Sequence, residues 1–171
     1  MKKQFLLILD GMTGAGKTSV ARLLADDMPR TAVIGMDKVK RFISDFERGV
    51  RDNRIAKEIT FEMAKKYLDN NISVIIEQSF KSESEIKEYE KLAKKYAVSL
   101  YKFQLFATPK IAFQRVLSRQ ESSNIKVPKK HIKFNIGLFK NKKDKGFFII
   151  DTSDISSEEV QKIILKIIKL C

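Results

Sequence analysis

The stretch Gly11-Met12-Thr13-Gly14-Ala15-Gly16-Lys17-Thr18 constrains this chain more than any other. It reads G-x-x-x-x-G-K-T and lies between an apolar run, Phe5 to Leu9, and an amphipathic one, Ser19 to Ala25. Strand, glycine loop and helix in that order form a phosphate-binding loop, because glycine backbones can turn successive N–H groups toward an anion with no Cβ in the way. The helix that follows adds its positive dipole end at the same point. Gly11, Met12, Thr13, Gly14, Ala15, Gly16, Lys17, Thr18 and Ser19 are therefore the expected nucleotide-binding set. Lys17 is expected to reach the β- and γ-phosphates as a point charge, and the Thr18 hydroxyl to ligate Mg²⁺.

At 171 residues the chain is expected to form one domain, spanning 1–171, large enough to bury about 70% of its extended surface without staples. Its apolar runs are too short to span a bilayer, so no membrane association is expected. The apolar run after Met1-Lys2-Lys3 stops at Asp10 and leads straight into the phosphate loop, which argues against a signal peptide and for a cytoplasmic protein. The only cysteine is Cys171, which leaves no disulfide frame and no thiolate metal site. Net charge is +13, from 34 Lys and Arg against 21 Asp and Glu, a field that draws phosphate-bearing ligands. Residues Lys126 to Lys145 carry eight lysines and His131 against the single acid Asp144, which is either a solvated face or a groove for a polyanion.

Along the chain, Thr31 to Ile34 reads as a second strand that delivers Asp37 to the carboxyl edge of a sheet, where ligands bind in open α/β folds. Asp37 can also cap a helix over Lys38 to Ser44. Asp52 to Asn70 carries Ile55, Ile59 and Met63, then Phe61, Ala64 and Leu68, at helical spacing. Ile72 to Ile76 is a buried-type strand that presents Glu77 at the same edge. Ser82 with Glu85, and Ser156 with Glu159, have the spacing of capping boxes. Val98 to Phe106 and Phe147 to Ile150 complete five strands. Thr108-Pro109 opens a helix that holds Arg115 and Arg119 on one face, and Val127-Pro128 opens another with Ile132, Ile136 and Phe139 as its stripe. Phe134, Phe139, Phe147 and Phe148 read as core, and His131 as a bystander. Strands alternating with helices imply a parallel sheet with helices on both faces.

A phosphate loop alone does not distinguish a kinase from a GTPase-type switch or a non-catalytic nucleotide-binding module. Asn141-Lys142-Lys143-Asp144 spells a guanine-reading N-K-x-D, but it precedes the last strand in a lysine-rich run, and the chain has no D-x-x-G to hold a γ-phosphate switch. A kinase needs a carboxylate base for the acceptor hydroxyl and cations over the moving phosphoryl group, and Asp37 with the arginine pair can supply both. The phosphate loop with its helix, GMTGAGKTSVARLL, then Asp37, RVLSR and a basic stretch resemble the small P-loop kinases: polynucleotide 5′-hydroxyl kinases, zeta-type toxins, chloramphenicol phosphotransferases and gluconate kinases. That resemblance implies a three-layer P-loop NTPase fold, with a five-stranded parallel sheet in the order 2-3-1-4-5 and a short lid at roughly 116–130. It implies ATP and Mg²⁺ as cofactors, Asp37 as the base, and Arg119 with Arg115 as lid arginines. Lys40, Arg41 and Glu77 join Asp37 as substrate-side residues, with Lys40 standing where polynucleotide kinases carry an arginine and Glu77 where the group more often has aspartate. The implied acceptor is a nucleic-acid 5′-hydroxyl, with a small molecule, nucleoside or nucleotide as the alternative.

Overall fold

The computed structural model describes residues 4–47, 49–121, 127–139 and 146–170. The N-K-x-D tetrapeptide, Cys171, much of the lysine run and part of the expected lid (122–126) lie outside the described residues.

Strand β1 (Phe5–Gly11) is buried along its whole length, and its near-continuous apolar sequence is what a central parallel strand covered on both faces requires. Leu6 and Ile8 point to one side, Leu7 and Leu9 to the other, and each of the four is fully buried, worth about 1.5–3 kcal/mol apiece against exposure. Around it lie β2 (Thr31–Gly35), β3 (Ser73–Glu77), β4 (Ser99–Phe106) and β5 (Phe148–Asp151), all parallel, in the order β2-β3-β1-β4-β5. The expected sheet and its order are therefore observed.

Helices α1 (Lys17–Asp27), α5 (Pro109–Glu121), α6 (Lys129–Phe139) and α7 (Ser157–Leu170) cover the Leu7/Leu9 face through Leu24, Val116, Ile136 and Ile164. Helices α2 (Met36–Lys40), α3 (Val50–Asp69) and α4 (Glu83–Lys95) cover the other through Val39, Leu68 and Leu92. Asn71, at φ +56, ends α3: Ile72 N–H reaches Tyr67 O and Asn71 N–H reaches Leu68 O, the paired bonds of a left-handed cap.

Four local expectations are corrected. The helix expected over 38–44 starts earlier and ends sooner, because Gly35 enters it in extended form and residues 41–43 close with tight i→i−3 bonds. Asp37 consequently occupies the first turn of α2, and Gly35 is the cap residue. Helix α3 buries Ala56, Thr60, Ala64 and Leu68 and leaves Ile59 exposed, since small side chains let it pack closely. The Ser82–Glu85 box does not close: Ser82 Oγ pairs with Ser84 Oγ, while Glu85 accepts from Lys81 N–H and pairs with Lys57. Its counterpart does form, with Ser156 N–H to Glu159 at 2.8 Å and Glu159 N–H to Ser156 Oγ at 3.2 Å. Finally, Phe134 and Phe148 are exposed rather than core, because α6 turns its Ile132/Ile136/Phe139 stripe inward and β5 is an edge strand.

Candidate functional site

The carboxyl ends of β1, β2 and β3 bring the site together. The register aligns Leu9 and Gly35 with Glu77 across the three strands, so the phosphate loop, Asp37 and Glu77 leave the sheet at one level. Gly14 and Gly16 both have φ +88, in the left-handed region that a side chain resists, and these turns curl the loop before α1 begins. Gly14 is also pressed against α5: a Cβ there would lie 2.3 Å from Ala112 O.

Lys17 Nζ donates to Gly11 O (2.7 Å), Met12 O (3.0 Å) and Ser79 Oγ (3.3 Å), and Ser79 Oγ in turn donates to Gly11 O at 2.7 Å. Burial pulls the Lys17 pKa below its ordinary value; the charges of Glu77, Asp10 and Asp37 oppose that drop, and Arg119 adds to it. Arg119 lies in the last turn of α5.

Thr18 Oγ1 donates to Glu77 Oε1 at 2.9 Å. Burial pushes the Glu77 carboxyl above its usual range, more than Lys17 and the Thr18 hydroxyl pull it down. Asp37 is 84% exposed and accepts from Lys40 Nζ at 3.1 Å. Protein atoms gathered around the carboxyl at the sheet edge push its pKa up, although the side chain still meets solvent. The charge and hydrogen bond of Lys40 outweigh this, with Lys17 and Arg41 helping, and the net displacement is downward. Lys40 is thereby engaged with the carboxylate rather than held out toward an acceptor, while Arg41 and Lys38 remain exposed.

Arg115 is held at the far end of β5. Its guanidinium bonds Thr152 O (2.7 Å), Thr152 Oγ1 (3.3 Å) and Ser153 O (3.3 Å) beyond β5, because those carbonyls satisfy a planar fork close to α5. His131 lies in the first turn of α6.

Sequence reasoning missed three residues. Asp10, fully buried, accepts from Phe80 N–H (2.9 Å) and Gln104 Nε2 (3.0 Å). Ser79 braces Lys17, and Thr152 donates toward Ala15 O at 3.2 Å. Only Asp10 left a trace: a lone acid inside an apolar strand.

These residues fit a nucleotide and a hard cation. An ammonium whose hydrogen bonds among the described residues all go to neutral oxygens, beside a curl of left-handed glycines, suits a polyanion. The Thr18 hydroxyl and Glu77 carboxylate are the oxygen donors that Mg²⁺ takes together with phosphate oxygens. No cluster of three or more His, Cys, Asp or Glu occurs among the described residues, so an all-protein cage is not what they offer.

Fold and site together define a P-loop kinase-like α/β protein. More particularly, the chain belongs to the AAA domain family, whose model matches residues 6–139. Its fold is similar to a candidate kinase from Chloroflexus aurantiacus, with TM-score 0.74, 18% identity, and coverage of 99% of this chain and 98% of that one. It is also similar to the APS kinase of Mycobacterium tuberculosis in complex with AMPPNP and APS, with TM-score 0.73, 13% identity and 98% of each chain covered. A component of the Pnkp1/Rnl/Hen1 RNA repair complex matches at TM-score 0.63 and 18% identity over 81% of this chain but only 45% of that one. No curated protein matches the sequence at a significant level. No helix among the described residues is long and apolar enough to cross a membrane.

Proposed function

We propose that the protein is an ATP-dependent phosphotransferase that moves the γ-phosphoryl group to a hydroxyl acceptor. The observation that carries this reading is Asp37, in the first turn of α2 after β2, at the same sheet edge as the phosphate loop and the Thr18–Glu77 pair. Phosphoryl transfer needs a carboxylate to receive the acceptor's proton, and Asp37 is the exposed one at this edge.

Asp37 accepts the hydroxyl proton as the acceptor oxygen bonds to phosphorus and the bridging oxygen leaves with ADP. Its lowered pKa keeps it ionised, and therefore competent, throughout the neutral range. Lys17 and Arg119 offset the negative charge on the transferred group. Thr18 and Glu77 would hold Mg²⁺, which would supply charge neutralisation at the phosphates.

For the acceptor we favour a nucleic-acid 5′-hydroxyl. Supporting this are the +13 net charge, the lysine-rich run 126–145, and exposed Lys38, Arg41 and Phe42 on the segment that follows Asp37. The likeness to the RNA repair complex component adds to it. A small hydroxyl compound is the second reading, favoured by the fold likeness to APS kinase over nearly the whole of both chains.

Incubation with γ-labelled ATP and a panel of RNA, DNA, nucleosides, nucleotides and sugars tests both. Label on an oligonucleotide, with acceptor affinity falling at a log–log salt slope of about −3 for about four phosphate contacts, supports the first. A salt-independent KM for a small neutral compound supports the second. No labelled acceptor, with ATP still bound, returns the protein to a sensing role.

A further inference from the structure

Thr152, just beyond β5, is 3% exposed and touches the phosphate loop itself. Its N–H donates to Phe106 O at 2.7 Å, and its hydroxyl lies 3.0 Å from that same oxygen and 3.2 Å from Ala15 O. Arg115 Nη1 donates to the hydroxyl oxygen at 3.3 Å, and Nη2 grips Thr152 O at 2.7 Å and Ser153 O at 3.3 Å. A threonine hydroxyl has one proton to give. With the guanidinium donating to its oxygen, that proton is shared between Phe106 O and Ala15 O, since each carbonyl has a lone pair to offer, and Ala15 O is held against Thr152. A charged donor polarises the hydroxyl and strengthens the onward bond.

Ala15 C=O and Gly16 N–H belong to one planar trans peptide and point in opposite directions. Holding the carbonyl against Thr152 therefore turns Gly16 N–H away from Thr152, next to the left-handed turns at Gly14 and Gly16.

We propose that Arg115 is a positioning residue: through Thr152 it fixes the Ala15–Gly16 peptide, so that the loop presents its N–H groups before a triphosphate arrives. The inference rests on the nucleotide reading given above and deepens it. It assigns to Arg115 a role that needs no contact with the ligand, and it makes the end of β5 part of the phosphate site.

The test is MgATP affinity of the full-length protein by calorimetry, with tripolyphosphate as a base-free competitor, for wild type, Arg115→Met, Thr152→Val, Thr152→Ser and the Arg115→Met/Thr152→Val pair. Arg115→Met and Thr152→Val are each expected to weaken both ligands about tenfold, the size of one misaligned hydrogen bond. Thr152→Ser keeps wild-type affinity, and the double variant loses no more than the stronger single one. Thr152→Val preserves side-chain volume, so it carries the test if Arg115→Met fails to fold. A loss with Arg115→Met and none with Thr152→Val would mean the guanidinium touches the ligand directly and would overturn the proposal. Wild-type affinity in both variants, or losses that simply add, would overturn it as well. Failure of the wild-type protein to bind MgATP would instead sink the nucleotide reading.

Discussion

Replacing Gly14 with alanine tests the geometry of the loop and its seat on α5 in one step. Two costs can be worked from the structure. The φ of +88 is left-handed, a conformation that costs an alanine about 1–2 kcal/mol. The new Cβ would stand 2.3 Å from Ala112 O and 2.9 Å from Ala112 C and Cα, which are backbone atoms of a helix and cannot rotate aside. The first turn of α5 must retreat by roughly 1 Å, an overpacking cost of about 1–3 kcal/mol. The sum, about 2–5 kcal/mol, is a large part of the roughly 5–15 kcal/mol that holds a domain together. Urea unfolding should show a lower midpoint at nearly unchanged slope, and MgATP affinity should fall by about tenfold or more as the loop N–H groups turn off target. Gly137→Ala is the control. Gly137 is exposed on α6 with nothing within 4 Å of the added Cβ, so it should gain about 0.5–1 kcal/mol and bind MgATP as before. A Gly14→Ala protein with the wild-type midpoint and affinity would refute both the close contact and its bearing on the site.

Lys17→Ala and Asp37→Ala should each abolish transfer, with Asp37→Ala still binding MgATP in calorimetry; transfer at the wild-type rate would remove Asp37 from the role of base. Arg119→Ala should lower kcat with little change in KM for ATP, because lid cations act on charge that develops in the transition state, and steady-state kinetics showing an unaltered kcat would contradict this. Glu77 has its carboxyl pushed above the ordinary 4.5 by burial, so the native state holds a proton that the unfolded chain has released, and stability falls as pH rises through that window. Glu77→Gln should therefore resist urea better than wild type at about pH 7 and match it at about pH 4, while needing more Mg²⁺ for half-maximal transfer; equal midpoints at both pH values would show no such penalty.

The parts of the molecule legible in the sequence are those whose cause is local. The phosphate loop was readable because a left-handed curl needs glycine and the following helix needs its own start. The strands were readable because a sheet covered on both faces needs unbroken apolar runs. Sequence spacing also placed Asp37 and Glu77 at one edge. It failed where a neighbour distant in sequence decides. Ser82–Glu85 and Ser156–Glu159 have the same spacing, but only the second forms a box, because Lys57 on α3 competes for Glu85. Arg115 and Arg119 share a helix face, yet the carbonyls after β5 hold Arg115. Thr152, Ser79 and Asp10 enter the site from three different strand ends, and no pattern within any one segment announces them.

Asp10 has a mechanical consequence. Its carboxylate, wholly out of solvent, ties β1 to the backbone at Phe80 after β3 and to the Gln104 side chain on β4. Three central strands are thereby laced together at the rim from which the reacting groups project, and that rim behaves as a stiff shelf. For the proposed phosphoryl transfer, the expected consequence is that any closure is carried by the helices around this shelf, while the shelf keeps still.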